Sequence, residues 1–223
     1  VINQSFGGDT TIEDSSYRNI RNVVFEGDTE PFVPYFENKV NNDGGLFVWS
    51  AGNRKGRSPG QDMDSVGEEA GLPYLAHDLE KGWIAVVGVS PQKGSKYNVL
   101  DKLSKAGNEA AYWSISASER GVKKLTMAYL SLEVPIGSSY AAPKVTRAAA
   151  LVYDKYDWMT ADQIRQTLFT TTDKTELTQD PATMSEANLR NVTVFPDSTY
   201  GWGMLNEKRA LKGPGAFINV SKY

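Results

Sequence analysis

Two uninterrupted apolar runs constrain the fold of this chain most. Residues 46–50 read L-F-V-W-S and residues 83–89 read W-I-A-V-V-G-V, without alternation between apolar and polar positions. Such runs are typical of strands buried on both faces, as in a parallel sheet. Residues 1–6 predict an earlier strand, and residues 30–41 carry one apolar helical face at Phe32, Val33, Phe36 and Val40. Strand, helix and strand make a βαβ unit, so we predict an α/β fold with a mostly parallel sheet flanked by helices.

The first of these runs ends in small residues and an amide, Ser50-Ala51-Gly52-Asn53. Small residues let a substrate backbone approach closely, and an asparagine amide can donate a hydrogen bond. The carboxyl end of a parallel strand is also where α/β sheets bind their ligands. Taken alone, however, an Asn after Gly is more often a turn residue.

A second small-residue turn, G-S-S-Y-A-A-P at residues 137–143, leads directly into an Ala-rich stretch. Its apolar positions Val145, Ala148, Ala149 and Val152 recur with helical spacing and predict an amphipathic helix. We predict that Ser138 is the N-cap and that Ser139 lies in the first turn. There the helix dipole and free N–H groups favour a developing oxyanion, which suits a nucleophile. Taken alone, a serine at a helix start is more often only a cap.

Three further patterns predict secondary structure nearer the carboxyl end. Residues 125–133 alternate loosely and predict a hairpin arm that delivers the chain to Gly137. Thr160 and Gln163 have the spacing of a capping box before a helix. Residues 207–211 predict a last short helix.

Composition excludes several classes of function. The chain has 223 residues, a net charge of −3 and no cysteine. This charge balance indicates no nucleic-acid partner, and no apolar run approaches the roughly 20 residues that cross a bilayer, so we expect no membrane span in this chain. The lack of cysteine excludes disulfides and thiolate metal sites. The one histidine, His77, precedes D-L-E, and we predict a structural or surface role for it.

Residues 137–143 resemble the nucleophile segment of subtilisin-like serine proteases (subtilases), which reads G-T-S-M-A-x-P. This chain departs from it by Ser138 for Thr, Tyr140 for Met and Lys144 for the usual His. Residues 1–8 match V-I-N-x-S-x-G-G, and the strand ending at Asn53 matches the family's A-G-N strand. Residues 107–117 and 213–217 are most similar to subtilases of Gram-negative autotransporters, although Ser118 and Glu119 stand where Pro and Gly are usual.

The resemblance implies a three-layer subtilisin-like fold and a role for each matching residue. Ser139 would be the catalytic nucleophile, and Asn53 would donate to the oxyanion together with the Ser139 N–H. The cleft would bind a polypeptide substrate, and calcium is possible by family resemblance only, since no compact calcium loop stands in the sequence and we predict no metal ligand. The substrate-binding residues would be Ser5, Phe6 and Gly7 along the cleft and Trp49, Ser50, Ala51 and Gly52 at the specificity pocket.

The sequence holds no D-x-G-type strand and no H-G-T segment for the family's Asp and His. We therefore expect residues 1–217 to be the C-terminal portion of a subtilase catalytic domain, residues 218–223 an exit segment, and a missing upstream half the source of both residues. The abrupt start in a strand also indicates a fragment or a processed product. The predicted function is a serine endopeptidase acting through an acyl-enzyme on Ser139, secreted or at the surface of a Gram-negative bacterium, with little activity in this chain alone. The alternative is a catalytically inactive scaffold that serves as a binding or structural module.

Overall fold

A computed structural model describes residues 1–6, 31–53, 65–91, 97–99, 105–107, 109–121, 124–126, 131–133, 135–174, 177 and 195–214. The strands are β1 (Ile2–Gln4), β2 (Phe47–Ser50), β3 (Trp83–Pro91), β4 (Tyr97–Asn98), β5 (Ser114–Ser118), β6 (Lys124–Thr126) and β7 (Ser131–Glu133). The α-helices are α1 (Phe32–Asn41), α2 (Ser138–Lys155), α3 (Ala161–Thr170) and α4 (Glu207–Ala210). Short 3-10 helices occupy Leu72–Tyr74, His77–Gly82 and Ala110–Trp113.

Four parallel strands form the centre of the molecule, in the order β1-β2-β3-β5. The register places Ile2 beside Phe47, and Phe47 beside Trp83. Strand β4 pairs antiparallel with the end of β3, and β6 and β7 form a separate antiparallel hairpin. The predicted parallel sheet is confirmed, and the carboxyl ends of β2 and β5 lie at the same edge of it.

One face of the sheet is covered by an aromatic cluster under α1. The Phe36 ring lies edge-on to Phe32, Phe47 and Trp83, with centroid separations of 4.7, 4.8 and 5.2 Å. Trp49 and Trp83 stack at 5.2 Å on neighbouring strands. The helical face predicted for residues 30–41 is the face that is buried. Edge-to-face and offset ring contacts of this kind add to the free energy gained from burying the rings.

The opposite face packs against α2 and α3. Alternate residues of the central strands, Leu46, Val48, Ile84, Val86, Ile115 and Ala117, point to this side. They meet the stripe of α2, in which Ala141, Val145, Ala148, Ala149 and Val152 are all fully buried. The small alanine side chains let the helix axis approach the sheet closely. Helices on both faces of the sheet give the predicted three-layer α/β architecture.

The capping box and the hairpin predicted for the carboxyl part of the chain are both present. The Gln163 N–H donates to Thr160 Oγ1 at 3.2 Å, and the Thr160 N–H donates to Gln163 Oε1 at 2.9 Å, which completes the capping box of α3. The hairpin of β6 and β7 confirms the predicted arm. Across the described ranges no helix is both long and apolar enough to cross a membrane.

We predict that Phe36→Ala lowers the free energy of unfolding by about 3–5 kcal/mol, because it opens a cavity at the centre of the aromatic cluster. Tyr35→Ala is the matched control: its ring also lies edge-on to Phe36, at 5.2 Å, but Tyr35 is 41% exposed while Phe36 is 5% exposed. Chemical denaturation of both variants measures the difference. Equal losses would contradict the assignment of Phe36 to the centre of this core.

Candidate active site

The carboxyl end of β2 and the start of α2 are joined by direct hydrogen bonds. The Ser138 N–H donates to Asn53 Oδ1 at 2.9 Å, across 85 residues of sequence. The Ser138 hydroxyl donates to the Gly52 carbonyl at 2.9 Å and lies 3.2 Å from Asn53 Oδ1. In return the Gly52 N–H donates to Ser138 Oγ at 3.2 Å. We call this set of bonds between residues 52–53 and Ser138 the serine clamp.

The clamp corrects one expectation from the sequence. Helix α2 begins at Ser138 itself, its N-cap is Gly137, and no side chain caps it, so the prediction of Ser138 as N-cap is wrong. The reason is that the Ser138 hydroxyl is fully buried and is already engaged by Gly52 and Asn53. The placement of Ser139 in the first turn is confirmed.

Ser139 is half-buried at the start of α2. Among the residues that the structure describes, neither its N–H nor its hydroxyl has a hydrogen-bond partner. The clamp orients the Asn53 side-chain amide, because its oxygen, Oδ1, accepts from Ser138. The amide nitrogen, Nδ2, therefore points away from Ser138, and it too has no partner in the described ranges. The Ser139 N–H and the Asn53 amide nitrogen are thus donors on two segments that the clamp joins, and donors of this kind can stabilise an anionic oxygen.

Glycines keep this site open. Gly52 has a φ of +121°, a backbone conformation that side-chain-bearing residues rarely adopt. A Cβ atom at Gly137 would lie 3.4 Å from Asn53 Oδ1 and 3.8 Å from Asn53 Nδ2. Because Gly137 has no side chain, the Asn53 amide is left uncovered on that side.

The end of β1 lies at the same edge of the sheet. The Ser50 hydroxyl donates to the Phe6 carbonyl at 3.4 Å, and the Phe6 ring packs edge-on against Trp49 at 5.5 Å while 55% of Phe6 stays exposed. Ser5 Oγ accepts from Asn3 Nδ2 at 2.8 Å. Asn3 Oδ1 accepts in turn from Thr146 of α2 at 3.0 Å, which ties this strand to the helix.

The predicted substrate-binding residues therefore differ in what they expose. Ser5, Phe6 and Gly52 reach the surface of this edge, whereas the side chains of Trp49 and Ala51 are fully buried in the aromatic core. Trp49 and Ala51 can contribute to a pocket through their backbone only. Gly7 lies outside the described residues.

His77 is far from this edge. It is exposed and opens the 3-10 helix that enters β3 from its amino end, whereas Asn53 and Ser139 lie at the carboxyl edge of the parallel strands. A surface role for His77 is confirmed. The described part of the chain also contains no group of three or more His, Cys, Asp or Glu residues that could hold a metal ion.

Two features of the site were not anticipated from the sequence. The first is the clamp. Its one indication in the sequence is that Ser138 keeps a hydroxyl at the position where the family pattern has Thr. The second is a buried carboxylate, Glu119, beside Lys144 under the start of α2. The indication in the sequence is that Glu119 and Lys144 both depart from the family pattern.

We predict that Ser138→Ala lowers the free energy of unfolding by about 1–3 kcal/mol, since it removes the hydroxyl to which the half-buried Gly52 carbonyl and N–H both bond. The neighbouring Ser139→Ala is the matched control and should stay within about 0.5 kcal/mol of the parent, because it removes no hydrogen bond to any residue that the structure describes. Thermal or denaturant unfolding compares the two. A larger loss in Ser139→Ala would mean that the roles of the two serines are exchanged.

The chain is similar to a known protein family and to curated proteins. The model of the subtilase family matches residues 1–203. The Neisserial autotransporter lipoprotein NalP of Neisseria meningitidis serogroup B is 31% identical over 189 residues, which cover 80% of this chain and 15% of that protein. Serotype-specific antigen 1 of Mannheimia haemolytica is 28% identical over 216 residues, covering 96% of this chain and 20% of that protein. The chain thus spans a fifth or less of the length of these curated relatives.

Solved structures show the same fold. A chain of the subtilase cytotoxin SubAB assembly is similar with a TM-score of 0.58 at 17% identity, over 95% of this chain and 57% of that one. Fervidolysin from Fervidobacterium pennivorans, a keratinolytic enzyme related to subtilisin, gives a TM-score of 0.55 at 21% identity, over 80% of this chain and 24% of its own. The sequence match over residues 1–203 and the shared fold lead to one conclusion: this chain belongs to the subtilase family of serine peptidases.

Proposed function

We propose that this chain supplies the nucleophile and the oxyanion site of a subtilisin-type serine endopeptidase. Its substrate is a polypeptide, Ser139 is the nucleophile, and the Ser139 N–H and Asn53 Nδ2 are the oxyanion donors. The observation that carries the proposal is the serine clamp, because it brings the two segments together and leaves both donors without an intrachain partner in the described residues.

In the proposed reaction, Ser139 Oγ attacks the carbonyl carbon of the scissile peptide bond, and its proton passes to a general base. The carbonyl oxygen becomes an oxyanion that accepts hydrogen bonds from Asn53 Nδ2 and the Ser139 N–H. Collapse of this tetrahedral intermediate breaks the C–N bond, and the protonated base returns the proton to the leaving amine. Water then hydrolyses the acyl-enzyme by the same sequence, which regenerates the Ser139 hydroxyl.

The general base is proposed to come from outside these 223 residues. The sequence contains a single histidine, and His77 lies at the amino end of β3, the opposite end of the sheet from Ser139. Without a base, a serine hydroxyl is a weak nucleophile at neutral pH. We therefore propose that a segment N-terminal to Val1 supplies both the base histidine and the aspartate that orients it.

Substrate binding is proposed to use the edge formed by β1 and the end of β2. The backbone of residues 5–7 pairs with the extended peptide as an added strand, and residues 49–52 form a wall of the specificity pocket. The bond from Ser50 to the Phe6 carbonyl supports this assignment, because it holds the two stretches side by side.

The proposed site of action is outside the cytoplasm, as a secreted or surface protein of a Gram-negative bacterium. The supporting observations are the names of relatives: an autotransporter lipoprotein of Neisseria meningitidis and an extracellular serine protease of Serratia marcescens, the latter 26% identical over 196 residues.

We predict that a fluorophosphonate probe labels Ser139 when this chain is joined to the preceding part of its gene product, and labels it barely in residues 1–223 alone. Ser139→Ala should abolish labelling. Asn53→Ala should slow it by roughly 100- to 1000-fold, because one oxyanion donor is lost. Mass spectrometry of the labelled peptide and the labelling rate are the measurements.

Two matched controls define the result. Ser138→Thr keeps the hydroxyl of the clamp and should label like the parent, and His77→Ala should also leave the rate unchanged. Equal labelling of the joined protein and of residues 1–223 would place the base within this chain and contradict the proposed division. A joined protein that folds but is not labelled would favour the inactive scaffold.

A further inference from the structure

A carboxylate lies buried just after the end of β5. Glu119 is 0% exposed, and neither of its carboxylate oxygens has a hydrogen-bond partner within the described residues. A buried carboxylate without hydrogen bonds is costly, so an opposite charge nearby is needed to offset its lost hydration.

The opposite charge comes from Lys144, in the second turn of α2. Its half-buried ammonium group donates to the Ser118 carbonyl at 2.8 Å and to the Arg120 carbonyl at 2.7 Å, the two carbonyls that flank Glu119. Burial lowers the pKa of Lys144, and the Glu119 carboxylate opposes this shift. Lys144 therefore ties the helix to the turn that follows β5.

The same turn contacts the chain immediately before and after Ser139. The Gly137 N–H donates to the Glu119 carbonyl at 3.2 Å, and the Gly121 N–H donates to the Pro135 carbonyl at 2.9 Å. A Cβ atom at Gly121 would lie 2.8 Å from the Tyr140 ring, so the backbone at Gly121 packs closely against Tyr140, the residue after Ser139. Residues 118–121, residues 135–137 and the first two turns of α2 thus contact one another in a closed ring of segments, and Ser139 lies in the helical part of this ring.

We propose that Lys144, through its hydrogen bonds to the two carbonyls that flank the buried Glu119 and through longer-range attraction to that carboxylate, positions Ser139 by fixing this ring. Both residues act as positioning residues, because they hold the backbone of Gly137 and Tyr140 and contact neither Ser139 nor its oxyanion donors. The inference rests on the proposed function for its catalytic consequence, but its structural consequence is independent of catalysis. Both positions depart from the family pattern, with Glu119 for Gly and Lys144 for His.

The experiment compares Lys144→Met with Lys144→Arg in the full-length gene product. Lys144→Met should slow fluorophosphonate labelling of Ser139 by about 10- to 100-fold, because small misplacements of a reacting group cost factors of this size. Lys144→Arg keeps the charge and the donors and should restore most of the rate. The matched control is Lys155→Met at the other end of α2, where the ammonium group also donates to a main-chain carbonyl, that of Leu211, at 2.6 Å. It should label at the parental rate.

A second measurement does not depend on activity. Amide hydrogen exchange at Gly137 and Gly121 should speed up by about tenfold or more in Lys144→Met, because their bonds open more often, and should be unchanged in Lys155→Met. Glu119→Gln should have effects in the same direction. The double variant Glu119→Gln with Lys144→Met should lose less than the product of the two single losses, because the pair acts as a unit.

The outcomes separate the two proposals. A parent protein that is not labelled overturns the proposed function, and the exchange rates still decide whether Lys144 and Glu119 hold the ring. A labelled parent with a Lys144→Met variant of parental labelling and parental exchange overturns the positioning role. Single losses that simply multiply in the double variant overturn the coupling of Glu119 to Lys144.

Discussion

The arrangement of the site depends on one short hydrogen bond, from the Ser138 N–H to Asn53 Oδ1. The strand that ends at Asn53 and the helix that begins at Ser138 belong to different layers, and the sheet alone does not fix their rotation about each other. A fully buried hydroxyl that both donates to and accepts from Gly52 removes this freedom. The clamp also selects the rotamer of the Asn53 amide, because its oxygen is held and its nitrogen is left on the open side. Orientation of a donor before substrate arrives is what makes it effective toward a developing charge.

The layered fold was predictable because its signals are strong and local. Continuous apolar runs such as residues 83–89 require a strand that is covered on both faces, and the α2 stripe of Val145, Ala148, Ala149 and Val152 has no other use than packing. The family motifs around Asn53 and Ser139 likewise indicated the two segments that the structure brings together. Each of these inferences needs only neighbouring residues and the known periods of helices and strands.

The remaining details depend on contacts that no local pattern encodes. A serine at a helix start normally caps the helix, and only the presence of Gly52 across the interface diverts the Ser138 hydroxyl. A run that is apolar at every position does not reveal which face of the sheet each side chain takes. The stacking of Trp49 on Trp83 became known only from the register of β2 against β3. Glu119 directly follows β5 and is fully buried, and a charged residue at such a position is unexpected until Lys144 is found bonded to the carbonyls on either side of it.

The clamp has a consequence for how the specificity of such a site can be altered. In the proposed protease the backbone of residues 49–52 walls the pocket for the substrate side chain, and Gly52 at its end bonds to Ser138 at the start of α2. Remodelling this stretch to admit a larger side chain would therefore also displace the proposed nucleophile, Ser139, and gains in selectivity would come with losses in turnover. The Phe6 side chain makes no contact of this kind. Its ring packs on Trp49, the residue is largely exposed, and only its main-chain carbonyl bonds to the rest of the edge. Directed changes of side-chain preference are best begun at Phe6, where the cleft can be reshaped without moving the helix.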